Sequence, residues 1–378
     1  MSTVSVIIPA YNQGHYLGEA IQSVLDQTYP DFEIVVIDDE STDNSREVVQ
    51  GFSDPRVHYI FQENRGLSAA RNTGILSATG SLVTFLDSDD RFLPNKLELL
   101  GKLLAERPEV GMVAGQAILI DQHGRTLERK THARLSSDLS MLLLGNPLHV
   151  GSILLRRTWL DKVGFFDESL RACEDWDLWL RLALAGCQMV SIDQPVSFYR
   201  VHVGQMTREP DRMRNAARAV LDKIYCRPDL PHEWLEMRDQ VYSRYYLVSA
   251  AHFYRVGDYA QAMIEMKEAV YLYPEWLAND AEELAKKITV WANDVRVADP
   301  LKFLEDVYDH LPEELAVLRR RRGEIGRMAM QVAFQAYSQG NLATARRAVL
   351  RAFRYQPAWM RNRGALSIFI RSFVPRRS

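Results

Sequence analysis

The sequence predicts an α/β fold: a Rossmann-like, mostly parallel sheet domain over residues 1–208, then an all-α helical domain over residues 209–378. Three observations predict it. Strand-like and helix-like segments alternate through the first part of the chain, the order that builds an open parallel sheet. Acidic clusters stand at the ends of two of those strands. From residue 210 onward the alternation stops and only helical patterns remain.

The elements follow in order. Val4 to Pro9 is apolar and β-branched and is closed by Pro9 and Asn12, the pattern of a buried strand. His15 to Gln27 puts Leu17, Ile21, Val24 and Leu25 on one helical face. Glu33 to Ile37 is a second strand running into DDESTD, where Asp43 is placed to cap a helix reaching Phe52. Val57 to Phe61 is a third strand, and Ser68 to Ala78 a helix of small residues stopped by Gly80. Leu82 to Leu86 is a fourth strand, ending in DSDD, after which Pro94 opens a helix through Glu106. In such sheets ligands sit beyond the carboxyl ends of the strands. Pro9 to Asn12, Asp38-Asp39 and Asp87 to Asp90 all fall there.

A D-x-D on a tight turn aims two carboxylates at one point, and hard divalent cations take carboxylate oxygens together with substrate phosphates. Taken alone, the same residues also suit an Asx-rich turn before a helix. Asp38-Asp39 alone is equally ambiguous. Two acidic strand ends in one α/β unit favour a ligand site.

VSVIIPAYN, VVIDDESTD, ENRGLSAARNTG, VTFLDSDD, EDWDLWLRL and FYRVH succeed one another between about residues 3 and 208. In order and rough spacing this stretch resembles family 2 glycosyltransferases of the GT-A fold. The resemblance implies a nucleotide-diphosphate sugar donor, Mn²⁺ or Mg²⁺, and a glycan or lipid-linked acceptor. It implies that Asp39 recognises the base or ribose, that Tyr11 lies against the base and that Arg71 contacts the nucleotide. Pro9, Asn12, Arg65, Ser88 and Glu174 complete the implied donor site. Asp87 lies near the ribose and metal, Asp89 ligates the metal, His202 lies near the diphosphate or metal, and Asp175 is the catalytic base. One departure is visible: Glu40 stands where the family motif has glycine, so a turn that favours positive φ must either accept strain or change shape.

The chemistry fits these residue types. Sugar transfer from a diphosphate donor releases a phosphate whose developing charge a cation can neutralise. The acceptor hydroxyl loses a proton as it attacks, and one carboxylate can take it. A single base opposite the leaving group gives inversion. Glu174 and Asp175 open a helix whose Trp176, Trp179, Leu180 and Ala183 form an apolar stripe. The same acids would also complement a helix dipole without any catalytic role. Arginine suits bidentate phosphate contact, which Arg65 and Arg71 could make, although either could equally be a solvated charge. His202 is either structural or a ligand. The segment from Met206 is a candidate lid over the donor. A contrasting reading is a non-catalytic sugar-nucleotide-binding scaffold acting through its helical domain; intact Asp39, Asp87, Asp89 and Asp175 speak against it.

The helical part repeats itself. AAHFYRVGDYAQAMIEMKEAVYLYPEW at 250–276 aligns with AFQAYSQGNLATARRAVLRAFRYQPAW at 333–359, an offset of 83 residues. Helix, Gly turn, helix and Pro stop resemble tetratricopeptide hairpins, expected at about 241–276 and 327–360. They are read either as a surface for a protein partner or as helices that only pack on the catalytic domain. From 321 to 378 there are twelve Arg, no Lys and one acid, Glu324. The tail GALSIFIRSFV interleaves apolar residues with arginine, which suits an anionic membrane surface; docking on the acidic helices around 280–315 is the alternative.

Composition sets bounds. Hydrophobic residues make up 47% of the chain and charged ones 25%, enough for buried cores without disulfides. Cys173, Cys187 and Cys226 are odd in number and have no C-x-x-C spacing, so reduced thiols in the cytoplasm are expected. A net charge of −3 argues against a nucleic-acid partner. No basic-then-apolar leader is seen at the start of the sequence and no run of membrane-spanning length, so a cytoplasmic protein, peripheral at most at the inner membrane face, is expected.

Overall fold

The computed structural model describes residues 3–131 and 135–373. The chain divides into two compact units, Met1–Arg238 and Asp239–Ser378.

The first unit carries strands β1 (Val4–Ala10), β2 (Phe32–Asp39), β3 (Val57–Gln62), β4 (Leu82–Phe85), β5 (Arg91–Phe92), β6 (Val110–Asp121), β7 (Thr126–Lys130), β8 (Ile153–Arg156) and β9 (Gln188–Val201). Its helices are α1 (Gly14–Leu25), α2 (Ser45–Gln50), α3 (Leu67–Ser77), α4 (Lys96–Glu106), α5 (Arg157–Val163), α6 (Glu174–Leu184), α7 (Pro210–Tyr225) and α8 (His232–Glu236). The strand order is β3-β2-β1-β4-β8-β6-β9-β5, with β7 on β6. β3, β2, β1 and β4 are mutually parallel, as the strand–helix alternation requires. All seven residues of β1 are buried, which is why all but Ser5 are apolar, and Ser5 donates to Glu33. The small residues of α3 let it lie directly against β1: a Cβ on Gly74 would stand 2.3 Å from Ile7 Cγ2.

Beyond β4 the sheet changes character. β8 is antiparallel to both β4 and β6, and β9 is parallel to β6. The β6–β9 ladder shifts register between Ala114 and Ala117. Gly115 there packs so closely that a Cβ would meet Val196 at 2.6 Å. Such irregularities bend and twist a strand pair. β9 therefore also reaches β5, pairing Phe198 with Arg91 just after the DSDD turn. The return brings the end of β9, with Arg200 and His202, back to the acidic turn. The helix expected to open at Pro94 begins at Lys96 instead, because the Pro94 carbonyl is taken by the Thr28 amide at 2.9 Å.

The first compact unit runs to Arg238 and so takes in α7, which lies beyond residue 208. α7 packs with the sheet domain: Lys223 pairs with Asp167 at 2.7 Å and with the buried Asp177 of α6 at 2.8 Å.

The second unit is helical among its described residues: α9 (Arg238–Val256), α10 (Tyr259–Leu272), α11 (Ala278–Ala292), α12 (Pro300–Asp309), α13 (Arg321–Ser338), α14 (Leu342–Tyr355) and α15 (Arg363–Arg371). Its own core includes Leu284, Ile288, Leu304, Val307, Ile325, Ala329, Ala333 and Val349. The 83-residue offset has a physical counterpart. Gly257 and Gly340 both turn with φ near +80°, where glycine avoids a Cβ clash. The next residue in each case caps the second helix: Asp258 accepts from the Gln261 amide and Asn341 from the Thr344 amide, both at 3.1 Å. Pro274 and Pro357 each open a 3₁₀ turn after it. No helix among the described residues is long and apolar enough to cross a membrane.

Candidate active site

The loops after β1 and β2 are laced together by short polar side chains. Asn12 adopts a left-handed backbone, φ +53°, and its side-chain oxygen accepts from the Thr42 amide at 2.7 Å. Asp43 accepts from the amides of Ser45, at the start of α2, and of Gly14, at the start of α1. Asp38 is buried and holds the Ser41 amide and the Tyr59 hydroxyl. Asp39 accepts from the amides of Arg65 (3.0 Å) and Gly66 (2.8 Å) and from Gln62 Nε2 (2.6 Å). Glu40, in the position where the motif has glycine, takes a left-handed φ of +66°, a conformation that strains a residue bearing a Cβ, and its carboxylate accepts from the Asn64 amide at 3.2 Å.

Arg71 of α3 is the buried link of the site, 1% exposed. One guanidinium nitrogen donates to Asp87 Oδ1 at 2.6 Å and another to Glu174 Oε1. Burial opposes its charge, yet Asp87 and Glu174 raise its pKa above the ordinary arginine value. One cation thus ties the DSDD turn to the first residue of α6.

Two histidine–aspartate pairs flank the turn. His202 Nε2 lies 2.9 Å from Asp89 Oδ2, and His149 Nε2 lies 2.9 Å from Asp90 Oδ2. Asp90 is buried, and burial together with the neighbouring Asp89 pushes its pKa up against the opposing His149. Arg200, also buried, donates its amide to Asp90 Oδ1 (2.7 Å) and Nε to the Asp89 carbonyl (2.6 Å), while reaching Glu19 of α1 at 2.9 Å. The turn is held from three sides.

α6 begins at Cys173, which is left-handed at φ +58°. Asp175 follows, its Oδ1 accepting from the Trp176 amide at 2.7 Å and its Oδ2 from Asn146 Nδ2 at 2.8 Å. Burial and then Glu174 push its pKa up to about 6, against Arg71 and those two donors. A helix N-terminus favours a carboxylate by only about 0.3–1 kcal/mol, so burial and repulsion win. Each oxygen of Asp175 has one donor and keeps acceptor capacity for another.

A cleft of about 480 Å³ opens at the carboxyl ends of β1, β2 and β4. Of the residues singled out in the sequence, Pro9, Tyr11, Asp39, Asp87, Ser88, Asp89 and His202 line it. Arg71 and Glu174 sit behind Asp87, and Arg65 pairs at the surface with Glu168 at 2.8 Å. Asn12 shapes the loop beside it. Met206 and Thr207, the candidate lid, also line the cleft. The sequence reading passed over Asn146, Arg171, Gln205 and Arg212. Arg212 opens α7 and donates to the Arg171 carbonyl at 2.8 Å, and both arginines border the cleft. Hard divalent ions favour carboxylate oxygens; Asp87 and Asp89 both line the cleft, Asp87 paired with Arg71 and Asp89 with His202. Asp87, Asp90 and His149 also gather donor atoms within 4.8 Å of one another.

Comparison with known proteins bears on this geometry. The family model Glycosyl transferase family 2 matches residues 5–169. An uncharacterized glycosyltransferase of Rickettsia prowazekii is 34% identical over 214 residues, covering 54% of this chain and 65% of that protein, so the chain spans just under two thirds of that relative's length. TuaG of Bacillus subtilis, a glycosyltransferase assigned to teichuronic acid biosynthesis, is 31% identical over 201 residues, covering 52% of this chain and 79% of TuaG. Among solved structures, S. aureus TarS 1–349 in complex with UDP-GlcNAc has TM-score 0.52 at 17% identity, covering 94% of this chain and 92% of that one. The mannosyltransferase PcManGT of Pyrobaculum calidifontis, in complex with GDP-Man and Mn²⁺, has TM-score 0.53 at 18% identity, covering 83% and 88%. At these identities the solved structures establish the fold alone.

Proposed function

The chain belongs to glycosyltransferase family 2, and from that premise we propose an inverting, metal-dependent enzyme that moves a sugar from a nucleoside-diphosphate donor, UDP favoured, to a hydroxyl of a glycan or lipid-linked acceptor in surface-polysaccharide synthesis. The observation that carries the proposal is the Arg71 bridge. It fixes the D-x-D turn, where a donor diphosphate would sit, to the helix start that presents Asp175. Asp87, Asp89 and His202 would hold Mn²⁺ or Mg²⁺, which supplies neutralising charge to the leaving diphosphate. Asp175 takes the acceptor hydroxyl proton while that oxygen attacks the anomeric carbon opposite the leaving group. Asn146 orients Asp175, and its pKa, raised but near 6, leaves it mostly ionised at neutral pH. Tyr11 and Asp39 flank the nucleoside, and Arg171 and Arg212 border the phosphate side.

The UDP-GlcNAc and GDP-Man complexes of the structural neighbours support a nucleotide-sugar donor. The relationship to TuaG supports a surface-polysaccharide acceptor. The enzyme works in the cytoplasm, where such donors are made, with an acceptor held at the inner membrane face. The paired hairpins of the helical unit are of tetratricopeptide type and serve as a partner surface.

Two variants test the roles. Asp175→Asn lowers turnover about 10²–10⁴-fold with donor affinity unchanged. Asp89→Ala weakens donor binding in Mn²⁺ and loses the difference between binding with and without the ion. An Asp175→Asn enzyme that kept most of its turnover would remove the base from the account.

A further inference from the structure

We propose that the outward face of α15 docks on an anionic lipid bilayer. The arginine-rich end of the chain divides into two groups. Arg319 and Arg320 approach Asp280 (3.8 Å each), Arg321 pairs with Asp309, and Arg351 lies 3.7 Å from Glu305. These meet the acidic helices, as one reading of the sequence expected. Arg346, Arg361, Arg363 and Arg371 form no such pair among the described residues. From residue 325 to 373 the sequence has eight arginines (327, 346, 347, 351, 354, 361, 363, 371) and no Asp, Glu or Lys; Arg327 and Arg351 pair with Glu324 and Glu305 from outside that stretch, and the excess of positive charge suits an anionic partner.

α15 has two apolar faces. Ala365 and Ile368 are buried in the unit's core. Leu366, Ile370 and Phe373, spaced i, i+4 and i+7, point the other way at 37, 63 and 57% exposure. Arg346 stacks its guanidinium 4.7 Å over the Phe373 ring, so charge and apolar surface are interleaved on one face. Met360, in the turn before the helix, is half exposed as well. A soluble polyanion would use the arginines and leave the apolar stripe in water. A bilayer uses both, the stripe in the acyl boundary and the arginines among the headgroups. Arg376 and Arg377, which continue the run in the sequence, lie outside the described residues.

The inference rests on the membrane-linked acceptor only for its purpose; its readout, vesicle binding, needs no turnover. Deleting the tail from about residue 318 would remove α13 and α14, which are core, so surface substitutions are the proper test. Full-length protein is co-sedimented with vesicles of phosphatidylcholine containing about one third phosphatidylglycerol, and with pure phosphatidylcholine, at low and high salt. We expect binding to the anionic vesicles at low salt only. Ile370→Asp with Phe373→Asp, and separately Arg363→Gln with Arg371→Gln, should each reduce it at least tenfold while far-ultraviolet circular dichroism, Tm and donor hydrolysis match the parent. Equal sedimentation of parent and variants would overturn the proposal. So would failure of the parent to sediment while long-chain polyphosphate shifts it to earlier elution in gel filtration, which would make the face a polymer site. A dimer dissociated by the Ile370/Phe373 substitutions, without vesicle binding, would assign the face to a second copy and equally overturn it.

Discussion

Arg71, itself buried, holds the buried Glu174 on one side and Asp87, which lines the cleft, on the other. Replacing it with methionine leaves Asp87 and Glu174 without their cation, a change that costs about 3–5 kcal/mol when a buried pair is broken. Thermal unfolding of Arg71→Met should show that loss, and Mn²⁺-dependent donor binding should fall with it. Arg71→Lys should lie between, because one ammonium cannot fork to both acids. Asp175 gives a pH signature. It acts as a base only when ionised, and its raised pKa places that ionisation near 6. kcat/KM should therefore fall about tenfold per unit below pH 6 and level off above it, an acid limb absent from the residual activity of Asp175→Asn. The acids of the site were legible in the sequence because two acidic clusters end two strands of one α/β unit, although each cluster alone also suits a structural turn. The burial of Arg71 was not, since it depends on partners 16 and 103 residues away. Nor was Asn146, a lone amide in a stretch with no periodicity. Glu40 was visible as a departure from the motif, and of the two outcomes expected there, strain or a changed turn, its φ of +66° is the strained one.

At the scale of elements, β1, β2 and β4 were readable because they are buried on both faces and so are mostly apolar, and β3, half-buried at the sheet edge, because its residues are β-branched and aromatic. The half of the sheet built from β6, β8 and β9 was not. Periodicity assigns no element between 107 and 173, and β9 crosses polar positions and Pro195 before it returns to the DSDD turn. That return, made possible by the register shift at Gly115, is what delivers His202. The contact of α3 with β1 is tightly packed at Gly74. Gly→Ala in an open helix gains about 1 kcal/mol. At Gly74 the added methyl meets Ile7 at 2.3 Å, and overpacking of this kind costs about 1–3 kcal/mol. Gly74→Ala should therefore lower the urea midpoint, and it should weaken donor binding as well, because Arg71 rides on the same helix. A raised midpoint would show that α3 shifts without loss.

Across the whole molecule, each unit has its own core, so each should fold alone. Residues 1–238 should give a cooperatively unfolding protein that still binds nucleoside diphosphate with Mn²⁺. Residues 1–208 should be less stable, because they lack α7 and with it the Lys223 pairs to Asp167 and Asp177. Thermal melts of the two fragments decide where the unit ends. The central claim is metal-dependent transfer from a nucleotide sugar. Its most direct test is release of nucleoside diphosphate by the full-length protein from a panel of UDP-, GDP- and dTDP-sugars, with Mn²⁺ or with chelator, in the presence of membrane glycolipid extract. The account predicts release from at least one donor, abolished by chelator and reduced at least a hundredfold in Asp175→Asn. Release from no donor, or release that persists equally in chelator and in Asp175→Asn, would contradict it.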